Sequence, residues 1–152
     1  MTGPSSLRVG EGLIQTLWVG GLWTVGYVVA PSLFAQLEET RVAGALAGAL
    51  FELMAWISVI CGTLLLILEA GSARPPGLRN LRRWAIAAML AFMSFSVWGL
   101  RPWMQAARLA DGSPGENFAL WHGISAALYL MASLSGILLV ASSSTRFSSG
   151  EA

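Results

Sequence analysis

The chain has 152 residues, 55% hydrophobic and only 11% charged, whereas soluble domains carry about 25% charged residues, so an ordinary water-soluble fold is excluded. A net charge of +1 offers no broad field for nucleic acid, and the single Cys61 rules out an intramolecular disulfide and leaves too few thiolates for a cysteine zinc site. At this length there is room for one domain, and its apolar stretches are too long for strands or core helices; the lipid bilayer is the partner that fits them.

Residues 1–12 read as a short N-terminal tail. The first apolar run then predicts a helix over about 13–37, longer than the hydrophobic region of a signal peptide. No cleavage site follows it, because Val29-Ala30 leads into Pro31, where a bend is expected. Glu38 to Val42 is too short a link for anything but an antiparallel hairpin. The second run, Ala43 to Leu68, carries one ionisable residue, Glu52, and its helix is expected over about 43–69.

Gly71 to Arg83 reads as a polar connection, with Pro75-Pro76-Gly77 stopping the helix and with four arginines, Arg74, Arg79, Arg82 and Arg83. A third helix is expected over about 84–110, passing through Arg101-Pro102 to a stop at Gly112. Ser113-Pro114-Gly115-Glu116 has the form of a capping box and predicts a fourth helix over about 114–141. The Ser-rich stretch 142–152 reads as a disordered tail.

Four such runs, each longer than the roughly 20 residues needed to cross hydrocarbon, make an all-α, integral membrane four-helix bundle. The termini and the middle connection hold six arginines, and the two hairpin tips hold Arg41, Arg101 and Arg108. The positive-inside rule therefore predicts an N-in/C-in protein of the inner (plasma) membrane. Trp84 on one side, and Trp103 with Trp121 on the other, suit interfacial belts.

Ionisable side chains within a span cost about 2.5–3.5 kcal/mol each on insertion scales. Three stand out, Glu52, Arg101 and His122, all at similar depth below the hairpin tips. Gly44, Gly48 and Glu52 recur every four residues, which predicts a small-residue face for close helix approach. His122, Ser125 and Tyr129 form a polar stripe on the fourth helix, and Thr16, Gly20 and Thr24 a small-residue line on the first. The candidate polar site is therefore Glu52, Arg101, His122, Ser125 and Tyr129, with Gly20, Gly44, Gly48, Pro31 and Pro102 as helix-packing positions. A structural ion pair and a proton or substrate site both fit Glu52 with Arg101.

No nucleotide-binding, zinc-protease or serine-hydrolase motif occurs, and a lone histidine cannot supply both ligands of a bis-histidine haem. Neither a metal nor another cofactor is expected, and no catalytic residues are assigned.

Leu17-Trp18-Val19-Gly20-Gly21, Ala30-Pro31-Ser32-Leu33-Phe34, Ala43-Gly44 leading to Phe51, Arg101-Pro102, and Phe118 with His122-Gly123 and Ser125 together resemble the transmembrane-protein-205-like family. The likeness extends over about Leu13 to Val140. It implies a four-helix membrane protein without an agreed biochemical activity. The Trp-x-Gly-Gly opening is also similar to copper-resistance membrane proteins, which use more histidines than this chain has.

The resulting expectation is a non-enzymatic membrane protein, a homo-oligomer or part of a larger membrane complex. It would contribute to small-solute or ion permeation or to envelope stress tolerance. The alternatives are an accessory subunit or assembly factor of a larger membrane complex, and a redox or copper-handling protein.

Overall fold

In hydrocarbon a chain segment must satisfy its own backbone groups, and a helix does so within one run. The computed structural model describes residues 4–109 and 114–144, and they form four long helices joined by short loops. These are α1 (residues 4–36), α2 (Thr40–Ala70), α3 (residues 76–106) and α4 (Phe118–Ser144). Each contains a stretch long and apolar enough to cross a membrane: Leu7–Gln36, Thr40–Ala70, Pro76–Ala106 and Phe118–Ser143. The chain is thus an all-α, multi-pass membrane protein.

The second helix shows why lipid is needed. One stripe, Ala47, Met54, Ser58, Cys61 and Leu65, is buried, while Leu53, Trp56, Ile60 and Ile67 on the far side are each more than half exposed. A helix on a water-soluble surface would be polar on that second stripe. Inside the bundle, Trp18, Leu22, Leu65, Ile86 and Met89 form the centre of the core. The Trp18 indole N–H donates to Ser58 Oγ (2.8 Å), whose hydroxyl donates onward to the Met54 carbonyl (2.7 Å). This chain of bonds satisfies a polar group that burial would otherwise penalise.

Several helix bounds differ from those expected. Pro4 and Pro76 begin helices rather than lying outside or stopping them, because a first-turn residue has no helical partner for its N–H and proline lacks none that matters there. The stretch read as a polar connection, 76–83, is therefore the first two turns of α3. At the other end Ser113, the head of the expected capping box, lies outside the described residues. Pro114 instead forms a bridge with Arg108, and the Gly115 N–H donates to the Ala107 carbonyl (3.0 Å). These residues close the loop back onto α3, so α4 starts only at Phe118. Its C-terminal end reaches Ser144, three residues into the expected tail; the remainder of that tail lies outside the described residues.

Two helices are locally widened. In α1, π-helical turns occupy Thr16–Gly20 and Thr24–Val29, and in α3 another occupies Phe95–Gly99. The latter two end two and three residues before Pro31 and Pro102. Proline removes one N–H and crowds the carbonyl a turn earlier, and a wider turn relieves both constraints without ending the helix.

Candidate functional site: a cavity between the four helices

The widened turns leave room in the bundle. A cavity of about 540 Å³ lies between all four helices, within the range of about 300–1,000 Å³ usual for small-molecule sites. Tyr27 and Pro31 of α1, Gly48 and Phe51 of α2, Ser96 and Arg101 of α3, and His122, Ser125 and Tyr129 of α4 contribute to its walls. Tyr27 and Ser96 both belong to π turns that precede prolines. The walls run from Phe34, Met104 and His122 near the hairpin tips down to Met93. Beyond Met93 the bundle is filled by Leu22, Met89 and Trp18, all buried.

Most polar wall groups bond within the protein. Ser96 and Ser125 share a hydrogen bond (2.6 Å), and the Tyr27 hydroxyl donates to Ser133 Oγ (2.9 Å). The Tyr129 hydroxyl donates to the Leu22 carbonyl, and its ring meets Phe51 edge-on at 5.3 Å between centroids. That ring lies directly over Gly26, where a methyl group would collide with it.

The structure pairs Arg101 with Glu52 across α3 and α2. Arg101 Nη1 makes this bond, and neither side chain is fully buried, at 38% and 42% exposed. Glu52 stands on the flank and is not among the cavity walls, whereas Arg101 is. His122 shares the cavity but bonds to neither; its ring stacks on Phe118 at 5.8 Å and 10°. The five candidate residues are thus a cavity group of Arg101, His122, Ser125 and Tyr129, with Glu52 attached from outside through Arg101.

The expected small-residue face is not the packing face. A methyl group on Gly20 or Gly48 would meet nothing within 4 Å, and one on Gly44 only ordinary contacts at 3.8 Å or more. Gly48 borders the cavity, and Glu52 reaches Arg101, so the Gly44-Gly48-Glu52 line follows the edge of the cavity rather than a tight helix–helix seam. The close approaches lie elsewhere: Leu90 would be 2.7 Å from a methyl on Gly62, and Val19 3.1 Å from one on Gly136. Pro31 lines the cavity, and Pro102 follows Arg101 on an exposed turn.

A second ionic site was not anticipated. At the end that carries the termini, Arg82 is fully buried and Glu69 is 1% exposed. Arg82 Nε and Arg74 Nη1 both donate to Glu69 Oε1 at 2.5 Å. Arg82 Nη2 and Arg74 Nη2 donate to Glu11 Oε1 at 2.5 and 2.6 Å. Arg82 Nη1 reaches α4, donating to Ser142 Oγ (3.0 Å) and Ser143 Oγ (2.6 Å). Two carboxylates thus oppose two guanidiniums in a neutral network that touches every helix. The sequence signal was weak: Glu11 and Glu69 flank apolar runs on the side where the arginines cluster, which reads equally well as a solvated surface. Among the described residues no three His, Cys, Asp or Glu side chains come together as metal ligands.

A family model described as "Domain of unknown function (DUF4149)" matches residues 13–113, most of the chain, including α2 and the cavity-lining parts of α1 and α3. No curated protein and no solved structure matches the chain.

Proposed function

We propose, from the premise that this chain belongs to the family described as Domain of unknown function (DUF4149), that it is a non-enzymatic membrane protein that takes a small solute into its four-helix cavity. It thereby contributes to permeation or to envelope stress tolerance. Within that family we read its Trp-Val-Gly-Gly, Ala-Pro-Ser and Arg-Pro motifs as marks of the transmembrane-protein-205-like group. The single observation that carries the functional reading is the cavity itself, walled by all four helices and bearing Arg101 and His122 near one end.

The packed layer around Trp18 and the ionic network beyond it close the other half of the bundle. On this reading, passage through the protein requires those layers to part, so binding in the cavity precedes any transfer. In proteoliposomes or cells, Glu52→Gln should change solute flux or stress tolerance while folded protein remains in the membrane. Loss of assembled protein instead would assign the Glu52–Arg101 pair to the scaffold.

A second reading, an accessory subunit of a larger membrane complex, is motivated by Gly20, where an added methyl group would meet nothing within 4 Å, since small residues let a neighbouring helix approach closely. Purification in mild detergent followed by mass spectrometry separates the two: a lone homo-oligomer counts against the accessory role. A redox reading in which two copies share a haem, each giving its His122, would end on an optical spectrum without a Soret band.

A further inference from the structure

We propose that the solute taken up by this cavity is an amphiphile with a carboxylate-type anionic head on one apolar chain. Its head is held by Arg101 and His122 and its chain lies toward Met93. The proposal rests on the reading above that the cavity receives a small solute, and adds the chemistry of that solute.

The first argument is an inventory of hydrogen-bonding capacity. Tyr27 and Tyr129 donate their hydroxyl protons within the protein, and Ser96 and Ser125 bond to each other. Arg101 uses only Nη1, on Glu52. A guanidinium has five N–H donors and no acceptor, so most of its capacity is unspent. Among the described residues His122 has the Phe118 stack and no hydrogen bond. The hydroxyl oxygens keep neutral acceptor capacity, but the charged group left with unused bonds is the Arg101 guanidinium, and the group that matches it is an oxyanion, which an arginine can bind through two parallel bonds.

The second argument is position. Because Glu52 is not a wall residue and Arg101 is, the cavity meets the cation while its counter-charge stands behind it. Arg101 and His122 lie toward the hairpin tips, whereas Met93 lies eight residues before Arg101 on α3, about 12 Å further along the axis. Between them lie the apolar Phe51, Ala126, Val97 and Leu130 together with Ser96, Ser125 and Tyr129, whose hydroxyls are engaged within the protein. One end polar and the other apolar is the profile of an amphiphile.

The test uses the full chain in nanodiscs of zwitterionic phospholipid and two photoactivatable probes of equal chain length, a fatty acid and the corresponding fatty alcohol. The acid should label peptides from the cavity walls about tenfold more strongly than the alcohol, a ratio equivalent to about 1.4 kcal/mol. Arg101→Gln should bring the two to parity, and Glu52→Gln, which frees Arg101, should raise labelling by the acid. Anionic phospholipid in the nanodisc identifies the source: suppression of acid labelling would point to a two-chain bilayer lipid and overturn the single-chain ligand, whereas persistence supports a free single-chain acid. Equal labelling by acid and alcohol in the unmodified protein would overturn the anionic head while leaving the cavity as a solute site. Labelling of the walls by neither probe would overturn both readings. The comparison in unmodified protein needs no variant to fold.

Discussion

Arg82 carries a full charge at a position with no exposed surface, and it is tolerated because five partners surround it: Glu69, Glu11, Ser142, Ser143 and the Leu139 carbonyl. Removing ions from water costs several kcal/mol each, and only close opposite charges return it. Arg82→Met, which leaves both carboxylates short of a partner, should therefore destabilise the protein by about 3–5 kcal/mol. The measurement is the yield of monodisperse protein and its melting temperature in detergent, with Arg8→Gln at an exposed position as the control that changes neither. Replacing Glu11, Glu69, Arg74 and Arg82 together with apolar residues of similar volume should cost far less, since no uncompensated charge remains. Ser58→Ala tests the neutral counterpart: it leaves the buried Trp18 N–H unbonded and should cost about 1–3 kcal/mol by the same measurement.

At the scale of the helix, prolines and glycines act through the space they make. Gly26 sits in a π turn of α1 and admits the Tyr129 ring, which then reaches the Leu22 carbonyl. Gly26→Ala should push that ring away and destabilise the fold by about 1–3 kcal/mol. Gly20→Ala and Gly48→Ala meet open space and should be neutral or stabilising by up to about 1 kcal/mol. Thermal denaturation of the three variants checks the order, and a larger loss at Gly48 than at Gly26 would contradict the packing described here. The spacing of Gly44, Gly48 and Glu52 was legible in the sequence, but its meaning was not. Any line of four-residue steps turns around the helix, so its neighbours depend on where the contact begins.

At the scale of the whole molecule, four spans place both ends of the chain on one side of the membrane. Arginine distribution predicts that this side is the cytoplasm, which would put the cavity in the outer half. In a Cys61→Ala background, an impermeant maleimide applied to intact cells should label Glu38→Cys and Glu116→Cys and leave Arg8→Cys and Ala73→Cys unmodified. The opposite pattern would place the cavity in the cytoplasmic half.

The membrane class, the number of helices and the common depth of Glu52 and Arg101 are properties of linear sequence. They follow from the length of apolar runs, the position of breakers and a rise of about 1.5 Å per residue, none of which depends on neighbours. The cavity, the separation of His122 from the ion pair and the burial of Arg82 needed the packed bundle. Each depends on the rotation of a helix about its own axis and on the widening of a single turn. Both are set by the helix packed against it, and one residue of register turns a side chain through about 100°.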